Sequence, residues 1–591
     1  MATRVEADII TTAVLRNALI YAAEEMGIVV RNASFSPNIK ERLDHSCALF
    51  DADGRLIAQA EHIPVHLGSL PEGIANTLNY LKRVGERLEP GDMWVLNDPY
   101  IAGTHLNDIT LIRPIFWEGG TTGHERSGTP TLVGFAASKA HHTDVGGRVP
   151  GSMSGDATEL FQEGLILPPL RLMRGGRSWD QEQRESTGEW RGSIDESLVR
   201  LICANSRTPE ARAGDLKAQI AGNLRGEQRF LEAVQRYGLA VFRAAVERML
   251  DESERQMRAA LAALPAGCYH AEDVLDPQHP GEPPIALRVT LTIAGDTLTV
   301  DYTGTDTQVV APINAVHGVS LAAVYYVLRS VTDPAIPMNE GCFRPVTVKI
   351  PEGTVLNPRR PAPVAGGNVE TSMRNADLLL RAFAAAVPDR VPASCGGTMT
   401  NLMAGGPGWA FYETIGVGMG GRPGLDGIDG IQCNMTNTLN TPIEALERAF
   451  PVRVTRYEFR EGSAGAGQWR GGCGLERTWE LLDDTATVSL LADRVYHAPP
   501  GLCGGHPGQP ASYRVVRNGQ EQPMAARGTV TLHRGDRVVL RTPGGGGYGP
   551  PEHRDPQAVR ADVLDGLITA EEAQSIYHMA LGDDVTRTDT L

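Results

Sequence analysis

Two helical patterns in direct succession, about Pro209 to Tyr237 and Leu239 to Leu264, divide this chain and limit what it can become. Pro265-Ala266-Gly267 closes the second. Ahead of them, short apolar runs alternate with Gly, Pro, Asn and Asp, as in Met93-Trp94-Val95-Leu96, Ile109-Thr110-Leu111-Ile112 and Leu132-Val133-Gly134-Phe135. These read as strands delivering loops. Beyond them, Leu287-Arg288-Val289-Thr290-Leu291-Thr292-Ile293 and Thr297-Leu298-Thr299-Val300-Asp301-Tyr302 alternate with a period of two, as paired strands do. Helices and strands are segregated, which predicts an α+β chain of several domains and not a doubly wound sheet.

At 591 residues the chain exceeds one ordinary core, and about 150 residues per domain suggests roughly four units. The expected organisation is an N-terminal metal-site region over 1–205, a helical hairpin over 206–266, a β-rich region with a helix (Ser320 to Thr332) over 267–365, a glycine-rich mixed region over 366–550 and a C-terminal helical tail over 551–591. An amphipathic helix opens the chain from Asp8 to about Met26, and helices close it at Pro556 to Leu564 and Thr569 to Leu581. The polar stretch Trp117 to Gly128 reads as an extended hairpin loop that leaves His124 in solvent.

Several functions are disfavoured at once. A net charge of -16 argues against a phosphate-tracking surface, so nucleic acid is not an expected partner. No run of about 18 apolar residues occurs and the N-terminus lacks a basic segment followed by an apolar one, so no membrane segment is expected and the location is cytoplasmic. Eight cysteines without a Cys-x-x-Cys pair indicate neither a zinc ribbon nor a disulfide framework. No Walker-type phosphate loop is present, and Gly544-Gly545-Gly546-Gly547 reads as a turn or close backbone approach, which places any ATP elsewhere.

The chemistry concentrates between Asn97 and Gly147. Asn97-Asp98-Pro99-Tyr100 leads into Gly103-Thr104-His105-Leu106-Asn107-Asp108, and His141-His142-Thr143-Asp144-Val145-Gly146-Gly147 follows. Imidazole and carboxylate gathered between glycines fit a divalent ion such as Zn, Mn or Fe. Against this stands the ordinary use of aspartate in loops, as an Asx-turn or a helix cap.

An ordered series of motifs then adds up: Arg31-Asn32-Ala33-Ser34-Phe35-Ser36-Pro37, Lys40-Glu41-Arg42-Leu43-Asp44-His45, His62-Ile63-Pro64-Val65-His66-Leu67-Gly68, both clusters above, Asn205-Ser206-Arg207-Thr208-Pro209-Glu210, Gly366-Gly367-Asn368-Val369-Glu370-Thr371-Ser372, Met435-Thr436-Asn437-Thr438 and the tetraglycine. With these the chain resembles the hydantoinase B / oxoprolinase family over nearly its whole length. The resemblance implies a component of a cytoplasmic hetero-oligomer whose hydantoinase A-type partner binds ATP and Mg. It implies opening of a cyclic amide such as 5-oxoproline or a hydantoin. Relatives that carboxylate acetone or acetophenone supply the alternative, and a non-catalytic scaffold for the partner subunit is the third reading. The resemblance also places the metal ligands and catalytic groups on Asp44, His105, Asp108 and His141, with His142 and Asp144 behind them; Glu61, His62 and His66 flank Pro64 and could equally line the pocket or make structural hydrogen bonds. Gln432-Cys433-Asn434 departs from the pattern, since relatives commonly carry histidines there. Glu370 with Arg374 reads as a helix cap with a local ion pair, and Glu413, Asp426 and Asp429 as solvated turn residues.

Overall fold

Asp8 begins the first helix by accepting a hydrogen bond from the Thr11 amide at 2.9 Å. This helix, α1 (Ile9–Ala33), runs well beyond the sequence expectation because the apolar run through Val30 continues its buried face; Ser36-Pro37 follows its end. The structure, a computed structural model, describes residues 7–60, 62–119, 129–175 and 192–579. Glu61, His124 and the end of the last expected helix lie outside the described residues.

A seven-stranded sheet follows, built from β1 (His45–Asp51), β2 (Leu56–Gln59), β3 (Met93–Leu96), β4 (Asp108–Trp117), β5 (Thr131–His141), β6 (Leu170–Arg174) and β7 (Ser193–Ile194) in the order β2-β1-β5-β4-β3-β6-β7. Helix α2 (His66–Val84) lies on one face of it. The two long helices form as expected, α3 (Pro209–Tyr237) and α4 (Leu239–Ala262), joined at Gly238 with φ 80°. α3 packs on α1 and against β4 and β5. Glycine makes that possible: a Cβ at Gly226 would meet Met26 Sδ at 2.3 Å, and one at Gly222 would meet Val30 Cγ2 at 2.6 Å. With helices on both sides, β1 and β2 are buried at every residue and β4 through its first eight.

The second sheet pairs β8 (Gly267–Leu275), β9 (Ile285–Ala294), β10 (Thr297–Asp301) and β11 (Val346–Lys349) in the order β11-β10-β9-β8. α5 (His317–Val331) packs on α2, and α6 (Ser372–Ala384) packs on α5, β8 and β9. One continuous apolar cluster runs from Trp94 in the first sheet through Leu216, Leu291 and Val324 to Leu379 and Leu491.

Two further sheets complete the chain. β12 (Asn401–Gly406), β13 (Trp409–Thr414), β16 (Thr485–Leu491) and β19 (Arg527–His533) pair as β13-β12-β16-β19. β14 (Val452–Phe459), β15 (Leu475–Leu481), β17 (Ser512–Arg517), β18 (Gln520–Pro523) and β20 (Arg537–Arg541) pair as β14-β15-β20-β17-β18. The tetraglycine threads between other glycine segments, with Gly421 N donating to Gly546 O at 2.9 Å and Gly465 N to Gly545 O at 2.8 Å. A Cβ at Gly544 would lie 1.8 Å from Ser463 O, so the run serves close backbone approach.

Of the acidic residues expected in solvated turns here, Glu413 is buried, Asp429 is partly buried and Asp426 is exposed, and each pairs with an arginine. Glu413 lies on β13, is 1% exposed and pairs with Arg477 at 2.8 Å; Asp429 pairs with Arg470 at 2.8 Å and Asp426 with Arg554 at 2.7 Å. Glycine-rich sequence suggests free turn carboxylates, whereas strand β13 buries Glu413 and the two loop aspartates are held by arginines. Nor do Glu370 and Arg374 pair with each other. Arg374 reaches Asp493 at 2.9 Å, while Glu370 accepts from Asn401 Nδ2 at 2.8 Å.

Candidate metal centre

β1, β5 and β4 lie side by side, and their registers bring one end of each to the same edge. Asp108 opens β4 opposite His141, the last residue of β5, and the His141 amide donates to Asp44 O at 3.0 Å just ahead of β1. Leu43 takes a left-handed φ of 61° immediately before Asp44, a conformation that costs about 1–3 kcal/mol and is kept where the surroundings enforce it. Asn38 Nδ2 donates to His141 O at 2.7 Å. His105 stands in the loop before β4, and Lys139 fixes that loop from β5: its Nζ donates to Ala102 O at 2.8 Å, Thr104 Oγ1 at 3.0 Å and Ser69 Oγ at 3.2 Å. Burial lowers the Lys139 amine to about 8. Asn97 and Asn107 hold the loop from the other side through Leu106 O at 2.8 Å and His142 O at 2.9 Å. The asparagines of the motif are therefore its scaffold.

Four side chains converge. His105 Nε2 lies 3.1 Å from both Asp108 Oδ1 and His141 Nδ1, His141 Nδ1 lies 3.4 Å from Asp108 Oδ1, and Asp44 Oδ2 stands 3.9 Å from His141 Nδ1. Spacings of about 3 Å are those of donor atoms that could share an ion with bonds of about 2.0–2.2 Å. His105, Asp108 and His141 form the candidate ion-holding group among the described residues, all three buried. Two imidazoles with a carboxylate aimed at one point are a donor set that suits a divalent ion. Protonation states agree with this. Burial raises the Asp108 carboxyl, but His105, His141 and His66 around it outweigh that and hold it well below the usual carboxylate range. Burial lowers His141, which favours the neutral ring a ligand requires. Burial also lowers His105, but the Asp108 carboxylate outweighs it, so the ring rises above its ordinary value with a proton where an ion would sit.

Partners behind the ligands fix their orientation. His105 Nδ1 donates to Ala365 O at 3.3 Å, which turns Nε2 toward the site. His66, at the start of α2, reaches Asp108 Oδ2 at 3.3 Å through Nε2 and Ser46 Oγ at 2.9 Å through Nδ1. Tyr412 of β13 stacks on His141 with centroids 4.6 Å apart and planes at 14°. The remaining expected residues lie elsewhere. His142 turns to α3, where Nε2 meets Gln219 Oε1 at 2.9 Å. Asp144 accepts from Gly151 N at 3.0 Å and Arg207 Nη1 at 3.0 Å, and so braces its own loop. Neither touches the four. Of the departing segment, Asn434 binds Asp377 at 2.9 Å, while Gln432 Nε2 donates to Thr414 Oγ1 at 3.3 Å.

A pocket opens on the four residues and is walled on its far side by Asn368, Tyr412, Thr414, Thr436 and Thr438. Asn368 sits in the π-turn Gly367–Thr371, and its Oδ1 is buried with no hydrogen-bond partner. Sequence reading does not assign these wall residues, since they come from far along the chain and no local pattern ties them to the histidines.

The hydantoinase B/oxoprolinase family model matches residues 8–551. The chain belongs to the hydantoinase B/oxoprolinase family. Similar family members include 5-oxoprolinase 1 of Arabidopsis thaliana, 36% identical over 92% of this chain and 42% of that protein. This chain thus spans about two-fifths of that relative's length. A protein of Pseudomonas sp. assigned as the B-type component of a D-/L-hydantoinase is 33% identical over 98% of this chain and 96% of its own. Among solved structures, the ATP-dependent caprolactamase of Pseudomonas jessenii is similar with a TM-score of 0.87 and 30% identity, covering 99% of this chain and 98% of that one. Acetone carboxylase shares the fold, with a TM-score of 0.85 at 19% identity over 97% of this chain and 80% of that one. The α+β architecture is that of the family, and no described helix is long and apolar enough to cross a membrane.

Proposed function

We propose that this chain is the metal-holding component of an ATP-dependent enzyme that opens a cyclic amide, acting in a hetero-oligomer with a separate hydantoinase A-type subunit that binds ATP and Mg. The observation that carries the reading is the convergence of His105 Nε2, Asp108 Oδ1 and His141 Nδ1 beside Asp44 at the floor of a pocket. The names of the relatives support it: the B-type component of a hydantoinase, a 5-oxoprolinase and an ATP-dependent caprolactamase.

An unstrained amide is a poor electrophile, and phosphorylation of its oxygen by ATP activates the carbon: water adds there, the ring C–N bond breaks as the nitrogen takes a proton, and the acyl phosphate left behind is hydrolysed to carboxylate and phosphate. A divalent ion, Zn, Mn or Fe, held by Asp44, His105, Asp108 and His141 would supply Lewis-acid activation of water and of the carbonyl oxygen. The chain's own groups do the rest. Asp44 or another site carboxylate takes the proton from water as its oxygen attacks the activated amide carbon, and returns it to the departing ring nitrogen. His66 keeps Asp108 aligned. The partnerless Asn368 Oδ1 offers an acceptor to the amide N–H. A five-membered lactam locks its carbonyl and N–H on one side, a shape that a single pocket wall can read.

The test is ADP release by this chain copurified with its ATP-binding partner, with 5-oxoproline or hydantoin compared against ketones plus bicarbonate. Lactam-stimulated release with a ring-opened product is expected. Stimulation by ketone and bicarbonate alone would overturn the hydrolase reading in favour of carboxylation.

A further inference from the structure

Arg42 is fully buried and forms no ion pair among the described residues. All five of its N–H groups are nevertheless placed. Nε donates to Leu439 O at 3.2 Å, Nη1 to Asn38 Oδ1 and to Tyr412 O at 3.2 Å, and Nη2 to Thr414 Oγ1 at 2.7 Å and Thr438 Oγ1 at 3.3 Å. A guanidinium donates and never accepts, so these contacts dictate the direction of the hydroxyls that follow. Thr414 Oγ1 receives from Arg42 and from Gln432 Nε2 at 3.3 Å, which fills its lone pairs and sends its proton to Thr438 Oγ1 at 2.9 Å. Thr438 Oγ1, filled by Arg42 and Thr414, sends its proton to Thr436 Oγ1 at 3.3 Å. Thr436 Oγ1 also faces the Thr438 amide at 3.5 Å. Its proton has no acceptor left among the described residues.

Thr414, Thr436 and Thr438 all line the pocket above the candidate metal centre. We infer that Thr436 is the hydrogen-bond donor for an anionic oxygen of the substrate, polarised by Arg42 through Thr414 and Thr438. A buried cation without a counter-charge is costly, and an anion entering this pocket supplies the missing charge. The relay delivers that charge as a directed donor without exposing the guanidinium to water. It also gives Gln432 a role as the donor that keeps the Thr414 proton pointing inward. The inference rests on the proposed amide chemistry for the source of the anion, which is a ring carboxylate as in 5-oxoproline or the phosphoryl group on an activated amide.

Thr436→Val removes the donor at nearly constant shape, and Thr436→Ser restores it. In the metal-loaded complex with the partner subunit, calorimetric titration with 5-oxoproline and with inorganic phosphate should show binding of at least one, weakened on the order of 10- to 100-fold in Thr436→Val and returned close to wild type in Thr436→Ser. Turnover then separates the sources. If the anion is the carboxylate, Thr436→Val raises KM for 5-oxoproline and leaves uncharged caprolactam unaffected; if it is the phosphoryl group, kcat falls with both. Gln432→Leu, at a half-buried position, should weaken the same anion by a few-fold and serves if Thr436→Val does not fold. Wild-type protein that binds neither anion, or a variant as tight as wild type, overturns the inference. Loss of anion binding in a complex that opens no lactam would reject the amidohydrolase reading while leaving Thr436 in its role.

Discussion

At the scale of single residues, the account depends on atoms that no hydropathy pattern registers. His105, Asp108 and His141 are legible because glycine-bordered histidine and aspartate are uncommon in one short span, and Asp44 through the resemblance. Residue type alone does not show which of two adjacent histidines faces the pocket, and the resemblance puts the ligand on His141. Strand alternation decides it: His141 ends β5 on the pocket side and His142 turns to Gln219. His66 reads from sequence equally as a pocket residue or a structural hydrogen-bonding one, and the structure places it on Asp108 Oδ2. His66→Ala should lower affinity for the metal about 10- to 100-fold while the fold persists, measured by competition with a chromogenic chelator. Unchanged affinity would make His66 a packing residue.

At the scale of elements, strand β3 and both long helices fall where their patterns place them, because apolar periodicity is set by the same burial that forms them. The opening helix reads short from sequence since its last turns are buried by α3, a partner distant in the chain. Close helix contacts are equally hidden. Gly68, two residues into α2 from His66, would carry a Cβ 2.5 Å from Ala322 N of α5. Gly68→Ala must push the two helices apart, so it should destabilise the protein by about 1–3 kcal/mol in denaturant unfolding and shift His66 from Asp108. A stability change within about 0.5 kcal/mol would show that this approach is not needed.

At the scale of the whole molecule, the site belongs to no single segment. Its candidate ligands come from the ends of first-sheet strands and the loops before them and its far wall from residues 368–438, so distant regions of the chain meet in one cluster of packing and polar contacts. Sequence reading places the ends of such a chain but not their meeting, because long-range pairs such as Arg42 with Leu439 leave no periodic trace. The buried wall also carries a pH dependence. Burial pushes the Glu370 carboxyl up to about 8 from an ordinary value of 4.5; its Oε1 accepts from Met399 N at 3.2 Å and from Asn401 Nδ2 at 2.8 Å, while Oε2 has no partner. The folded state keeps a proton that the unfolded chain releases. Its contribution is therefore full below the unfolded value and lost as pH rises through the folded one, an effect of up to about 5 kcal/mol. Glu370→Gln should flatten the fall in stability between about pH 5 and pH 8, and an unaltered slope would assign the effect to other groups.

The most direct measurement of the central claim is metal reconstitution. The chelated complex is titrated with Zn, Mn or Fe while bound metal and lactam-dependent ADP release are followed in the same sample. The account predicts activity rising in proportion to one ion per chain, with Asp108→Ala neither retaining the ion nor recovering activity. Full activity in the metal-free complex, or in Asp108→Ala, would contradict it.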